Sequence, residues 1–327
     1  MTTRRLFLSL LAAPWLGKKS FAATAPRIVA YRVDAVIVLF SRPIFTRTDV
    51  GEGVLYCHEA DFAEERRLRF AFAAGSRPER ARGLNRFGYF SESIRAAAGS
   101  TPEAQYFGFM TRADEKSLKE AERALHARGG GVPVVTISGE LRQGSHLSRL
   151  ANLDLEASAR WSVWPQCLAA AARAFEELTP SPAAPARNSA AETFLLTLSR
   201  LLESSEPRGE TAFLYGRNPR RLVWSRSADR KAGIEFASRR LIESGRTVMR
   251  FDAETVDEYR NTRSRFSLWH DPQARPSLPL RIELQPRSFL RLRLEAVEAD
   301  TGSLRAEMEN SFDTWLGSAS ARLRAGL

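Results

Sequence analysis

Leu278-Pro279-Leu280-Arg281-Ile282-Glu283-Leu284, followed shortly by Leu290-Arg291-Leu292-Arg293-Leu294-Glu295-Ala296, is the stretch that decides the fold. Leu278, Leu280, Ile282 and Leu284 alternate with Pro279, Arg281 and Glu283, and Leu290, Leu292, Leu294 and Ala296 alternate with Arg291, Arg293 and Glu295. Successive side chains of a strand point to opposite faces, so a period of two makes each run a strand with one apolar and one charged face. Pro286-Arg287-Ser288 supplies a turn between them, and the pair reads as an amphipathic antiparallel hairpin. One face meets a core or an apolar ligand, and the other meets water.

The same pattern recurs outward from this hairpin. Tyr31, Val33, Ala35, Ile37 and Leu39 alternate with a mixed face, and Val54–Tyr56 and Leu68–Phe72 follow as further strands. Residues 75–178 read as an irregular middle region punctuated by Gly75, Pro78, Gly83, Gly88 and Pro102. Within it, Phe87–Ile94, Tyr106–Met110, Val132–Ser138 and His146–Val163 have strand character, Asp114 to Arg128 is helical, and Trp164–Leu178 is an alanine-rich helix. A Pro/Ala-rich loop occupies 179–187, and Ala190–Glu203 has Phe194, Leu195, Leu198, Leu201 and Leu202 at helical spacing. Ala212–Tyr215, Arg221–Ser225, Ile234–Ala237, Thr247–Phe251 and Arg265–Trp269 read as strands, and Glu309–Arg324 as a closing helix. The fold class expected is α+β, a long antiparallel sheet wrapping helices such as Ala190–Glu203, with an inserted middle region.

Three segments carry a family resemblance. They are Tyr31–Gly53 with Pro43-Ile44 and Val50-Gly51, the helix Phe194–Leu202, and Asp271 through Leu278-Pro279-Leu280-Arg281-Ile282 to Leu290–Leu294. Together they resemble a family of uncharacterised bacterial periplasmic domains similar to the lipoprotein-localisation-factor fold. The resemblance implies one long sheet curved into a half-barrel with helices in its concavity. It brings no catalytic residues with it.

The N-terminus reads MTTRRLFLSLLAAPWLGKKSFAATA. Arg4 and Arg5 form a basic start, Leu6–Leu16 an apolar core, and Ala23-Thr24-Ala25 a small-residue site, the layout of a secretory leader cleaved after Ala25. Thr3-Arg4-Arg5-Leu6-Phe7-Leu8 resembles a twin-arginine export motif, which implies dealings with the export machinery and a soluble periplasmic product. Residues 1–25 are thus expected to be a signal peptide, and 26–327 a single elaborated β-rich domain. An uncleaved leader kept as a membrane anchor is the alternative.

This address changes the charge argument. The chain's 49 Lys+Arg against 38 Asp+Glu give +11, which would suggest an acidic partner. Residues 1–25 contribute Arg4, Arg5, Lys18 and Lys19 and no acid. The remaining bases are almost all arginine and scattered, with no aromatic-interleaved patch, so nucleic acid is not expected as a partner. No apolar run is long enough for a membrane-spanning helix, so an integral membrane protein is not expected either.

Motifs for chemistry are sparse. Cys57-His58-Glu59 places a thiol beside an imidazole, but strand neighbours point to opposite faces, so a base for Cys57 would come from elsewhere. Cys57 and Cys167 are the two cysteines; an oxidising periplasm permits a disulfide between them, and a buried free Cys57 is the alternative. The histidines at 58, 126, 146 and 270 have no metal-ligand spacing, and Gly144-Ser145-His146 lacks a nucleophile elbow. Asp252–Glu258 reads as a solvated loop, and Trp161, Trp164, Trp224, Trp269 and Trp315 as core or cleft lining. No cofactor or metal is implied.

The functional expectation is a non-enzymatic binding or carrier protein for an apolar or lipid-like ligand in envelope biogenesis. Leu280, Ile282, Leu290, Leu292 and Leu294 would line its groove or its core. An envelope hydrolase with a non-contiguous site, or an Arg-rich assembly partner, are the alternatives.

Overall fold

The computed structural model describes residues 25–39, 42–62, 65–97, 102–112, 120, 123, 131–142, 145–177, 192–215, 218–257, 262–287 and 289–325. Residues 1–24 of the expected leader and the 179–187 loop lie outside them.

The deciding hairpin forms as its alternation requires. Strands β13 (Pro279–Arg287) and β14 (Leu290–Val297) pair antiparallel, with Ile282 opposite Leu294 and Leu284 opposite Leu292. β14 then pairs with β1 (Arg27–Leu39), Leu294 facing Val33, Leu292 facing Ala35 and Leu290 facing Ile37. The chain's first and last strands are therefore neighbours at the centre of the sheet. From β1 the meander runs outward through β2 (Arg42–Phe62), β3 (Glu65–Ser76), β4 (Phe87–Ala97), β5 (Glu103–Thr111), β6 (Val132–Arg142) and β7 (Ser145–Leu155). From β14 it runs the other way through β13, β12 (Thr262–His270), β11 (Met249–Asp257), β10 (Asn218–Ala228), β9 (Arg208–Tyr215) and the two-residue β8 (Glu192–Thr193). The order in this 14-stranded sheet is β7-β6-β5-β4-β3-β2-β1-β14-β13-β12-β11-β10-β9-β8, antiparallel throughout except for β8 beside β9.

Four α-helices among the described residues cover the two faces: α1 (Trp164–Glu177), α2 (Phe194–Glu203), α3 (Arg230–Ser238) and α4 (Gly302–Ala325). On one face Val54, Tyr56, Ala71, Ala73, Phe107 and Phe109 pack under α1 and α4, with Phe175, Met308, Phe312 and Trp315. On the other face Leu68, Ile94 and Leu141 share a cluster with Leu196 of α2 and Leu214 of β9. Leu141 and Leu214 stand near opposite ends of the strand order. The sheet must therefore curl about this second face, which is its concave side, and α2 lies in the hollow. Leu201 and Leu202 complete the contact with Phe213, Leu222, Trp224 and Phe251 on the far arm. The half-barrel wrapping a helix is the architecture present.

Residues 75–178 depart from the irregular region expected. They carry β4, β5, β6, β7 and α1, and they continue the sheet outward from β3. Gly75, Gly108 and Gly139 lie within strands where neighbouring rings need the room. A Cβ on Gly75 would fall against Trp161, on Gly108 against Phe90, and on Gly139 against Tyr106. Glycine inside a strand marks such close approach as well as a break. Ile234–Ala237, expected as a strand, belongs to helix α3. Asp229 caps it by accepting from the Ala232 amide at 2.9 Å, and Phe236 is buried while Ile234 faces solvent. The predicted helix at 190–203 begins only at Phe194, because Glu192 and Thr193 pair with β9.

Candidate functional site on the concave face

The sequence-predicted leucines fall along the concave face, with one exception. Ile282 and Leu294 oppose each other, Leu294 is 3% exposed, and both pack with Tyr31 and Val33. Leu292 lies one pair further toward the hairpin end, between Ala35 and Leu284, and is only half-buried. Leu290 is next, opposite Ile37, which in turn faces Phe45 of β2. Phe45 is 53% exposed. Burial thus falls along one apolar row, from Leu294, through half-buried Leu292, Leu290 and Ile37, to Phe45 at the strand ends. Leu280 departs from the row. It packs with Phe236, Val248 and Trp269 beneath α3, because the β12–β13 register shifts next to it at Trp269/His270.

Deeper in the hollow lies a set of polar groups that the sequence does not announce. Glu92 stands on β4 between Phe70 of β3 and Tyr106 of β5. The Tyr106 ring lies over Gly139, stacks between Phe90 and His146 at centroid distances of 6.0 Å each, and shares a 2.8 Å hydrogen bond between its Oη and His146 Nε2. Three rings thus run along the concave face toward edge strand β7. The absence of a side chain at Gly108 and Gly139 is what lets Phe90 and Tyr106 lie flat.

Helix α2 closes this set from above. Its N-cap Thr193 and, one turn on, Thr197 are 2% and 0% exposed. Glu92, itself 0% exposed, lies against the Thr193 hydroxyl and the Leu195 amide, which hydrogen-bond its carboxyl. Burial is the main cause that raises the Glu92 carboxyl to about 8, with the nearby Thr193 hydroxyl and Leu195 amide drawing it partly back. Burial likewise lowers His146 to about 4, so near neutral pH both groups are uncharged. His270, also lowered to about 4 by burial and by Arg226, is held by Ser277 at 2.7 Å. The signal that could have found Glu92 is its place in β4: it alternates with Phe90 and Ile94 on one face, while Phe87 and Tyr89 fill the other.

The reactive-looking residues do not come together. Cys57 points into the concave cluster with Leu68 and Phe70, whereas its neighbours Tyr56 and His58 turn to the outer face. The Cys57 thiol is pushed up chiefly by burial, and the charged groups bearing on it are Glu59, Arg27, Arg66 and Glu203. Cys167 sits in α1 on the outer face, so the sheet separates the two sulfurs and both are free thiols. The disulfide held open above is not present. Ser145 is exposed while His146 faces inward. His126 lies outside the described residues. Among the described residues no group of three or more His, Cys, Asp or Glu is placed to hold a metal ion, and no helix is long and apolar enough to cross a membrane.

The outer face of the β11–β14 arm is charged instead. Arg281, 9% exposed, donates from Nε to Glu295 at 2.5 Å and from Nη2 to Glu235 of α3 at 2.5 Å. Its guanidinium also lies 5.0 Å from the Phe236 ring centroid and 5.4 Å from that of Trp269. Arg239 joins Glu295 at 3.0 Å, and Arg293 joins Glu283 at 2.7 Å.

No family model matches the chain, and no curated protein matches it. Among solved structures, the chain is similar to the crystal structure of a β-barrel-like protein of domain of unknown function DUF1849 from Brucella abortus. The two are 10% identical, with a TM-score of 0.45, over 84% of this chain and 96% of that one. The functional reading below rests on the chain's own geometry.

Proposed function

We propose that the chain is an exported periplasmic protein that binds or carries an apolar, lipid-like ligand in envelope biogenesis, without catalysis. The observation that supports this is the graded row Leu294, Leu292, Leu290, Ile37 and Phe45. Apolar side chains on three adjacent strands face the hollow, yet lose their cover toward the hairpin ends, from 3% exposure at Leu294 to 53% at Phe45. Apolar area left in water is unfavourable by about 25 cal/mol per Å², so a concave apolar strip is a place where an acyl chain gains by lying down. Ile282 and Leu294 form its inner end, where Ile282 also packs with the cluster of Leu201 and Leu202 of α2. The leader, with Arg4-Arg5 and Ala23-Thr24-Ala25, supports the periplasmic part of the reading.

Titration with pyrene, an uncharged hydrocarbon fluorophore, tests the reading. Binding should saturate in wild type and weaken roughly tenfold in Phe45→Ser and Leu290→Asn, since each removes apolar contact. Ile234→Ser, exposed on the outer helix α3, should leave it unchanged. Absence of saturable binding, or equal weakening by Ile234→Ser, would overturn the proposal.

A further inference from the structure

Large apolar side chains stand exposed at several places among the described residues, but only Ile44 and Phe45 do so as sequence neighbours, Ile44 at 61%. We propose that the end of the β1–β2 hairpin, with the arginines around it, docks on the surface of a membrane that carries anionic phospholipids. Ile44 and Phe45 enter the acyl region, and the guanidinium groups meet the phosphates. This goes beyond the ligand reading, since a protein can dock on a membrane without carrying anything from it.

The fold makes the hairpin end a projection. β2 is 21 residues long and β3 only 12, and their pairing stops at Gly51 opposite Ser76. Residues 42–49 therefore run on past β3 with β1 beside them. Backbone pairing continues to the tip, with Val38 opposite Pro43 and Leu39 opposite Arg42. The Val38 amide donates to the Phe289 carbonyl at 2.9 Å, which ties this tip to the turn between β13 and β14. A tip whose backbone groups are paired can enter hydrocarbon without leaving donors and acceptors bare.

The charge around the tip is one-sided. Residues 35–48 contain Arg42 and Arg47 and no acid. The acids that flank them are already paired: Asp34 with Arg32 at 3.2 Å, and Asp49 with Arg77 at 2.8 Å and with Arg80. On the neighbouring strand ends, Arg291 and Arg293 share the single carboxylate of Glu283, and Arg263 and Arg265 share that of Glu254. Arg263 and Arg265 are 65% and 76% exposed at their side chains. Arg42, Arg47 and these two shared sets bring six arginines against two acids, a net +4 at this rim.

The two features select the same partner. A guanidinium pairs with phosphate through two parallel hydrogen bonds, and each arginine near an anionic leaflet adds to the attraction. An acidic protein surface would answer the arginines alone. The apolar pair in their midst fits a surface with hydrocarbon directly beneath its phosphates. Docked this way, the open end of the row from Leu294 to Phe45 faces the bilayer.

Co-flotation of the full chain with vesicles of phosphatidylcholine, alone or mixed with phosphatidylglycerol, tests this. The mixed vesicles should bind about tenfold more tightly, and added salt should weaken the difference. Ile44→Ser, and separately Arg42→Gln with Arg47→Gln, should each weaken binding to mixed vesicles about tenfold, while Ile234→Ser on α3 leaves it unchanged. Ile44→Trp should add tryptophan fluorescence that brominated acyl chains quench. Equal binding to both kinds of vesicle, or none, would overturn the inference. So would full binding by the Ile44 and arginine variants, which would assign docking to another segment such as the leader. Pyrene binding reads the ligand proposal separately: Ile44→Ser should leave it as in wild type, and its absence throughout would remove that proposal and leave this one standing.

Discussion

Gly139 lies directly beneath the ring of Tyr106, and a methyl group there would overlap that ring. The missing side chain lets Tyr106 reach across β6 and bond His146 on β7 at 2.8 Å. Gly139→Ala is therefore expected to lower stability by about 1–3 kcal/mol, the usual range for overpacking a tight site. Tyr106→Phe should cost about 1–3 kcal/mol by leaving the buried His146 Nε2 unpaired. Urea denaturation of both variants checks this, and a Gly139→Ala protein as stable as wild type would refute the close packing of ring on strand.

Stability should peak in mildly acidic solution. Glu92 has a folded-state value raised to about 8 from 4.5, so the folded state binds more protons across that interval and stability falls as pH rises from about 4.5 to 8. His146 and His270 are lowered to about 4 from 6.5, so stability also falls as pH drops from 6.5 toward 4. Two histidines outweigh one carboxyl until the slopes balance, which leaves a maximum near pH 6.5. Thermal melts of Glu92→Gln should lose most of the alkaline slope and keep the acidic one. An unchanged alkaline slope would show that Glu92 titrates normally.

On the outer face, Arg281 is the shared partner of Glu295 and Glu235. Glu295 is 3% exposed, so Arg281→Ala leaves a buried carboxylate with less compensation and should cost about 3–5 kcal/mol. Removing both charges, as Arg281→Met with Glu295→Gln, should recover most of that loss. Denaturant titration of Arg281→Met, Glu295→Gln and the double variant measures the coupling. Additive losses would mean that the pair does not act as a unit.

Cys57 and Cys167 are 0% and 4% exposed, on opposite faces of the sheet, and burial raises both thiols. Folded protein should leave a thiol reagent such as Ellman's unreacted over the time in which urea-unfolded protein consumes it at both cysteines. Peptide mapping without reductant should recover the two cysteine peptides separately. A linked pair would contradict the placement of α1 on the outer face.

Much of the sheet was legible in the chain because its signal is local. Each of Tyr31–Leu39, Leu280–Leu284 and Leu290–Ala296 alternates with a period of two, and that alone makes a one-sided strand. The helix at Phe194–Glu203 was legible from its leucine spacing. The middle region was harder. There β4 and β5 are apolar on both faces, being covered by α1 and α4 on one side and by the hollow on the other, so alternation fades. Gly108 of β5 and Gly139 of β6 look like breaks until the rings of Phe90 and Tyr106 are placed over them. The site was legible only as its lining. Leu292 and Leu294 announce themselves, whereas Glu92 and Thr193 meet through pairings and packing that no local pattern encodes. Leu280 shows the limit of counting by twos, since a shift in register beside it sends it under α3.

The most direct test of the central claim is native mass spectrometry of the protein released gently from the periplasm, with organic extraction of whatever accompanies it. The account expects roughly one acyl-chain molecule per chain, lost on organic extraction and much reduced in Phe45→Ser with Leu290→Asn. A wild-type protein that emerges bare, and that stays bare after incubation with vesicles of the same cells' lipids, would contradict it.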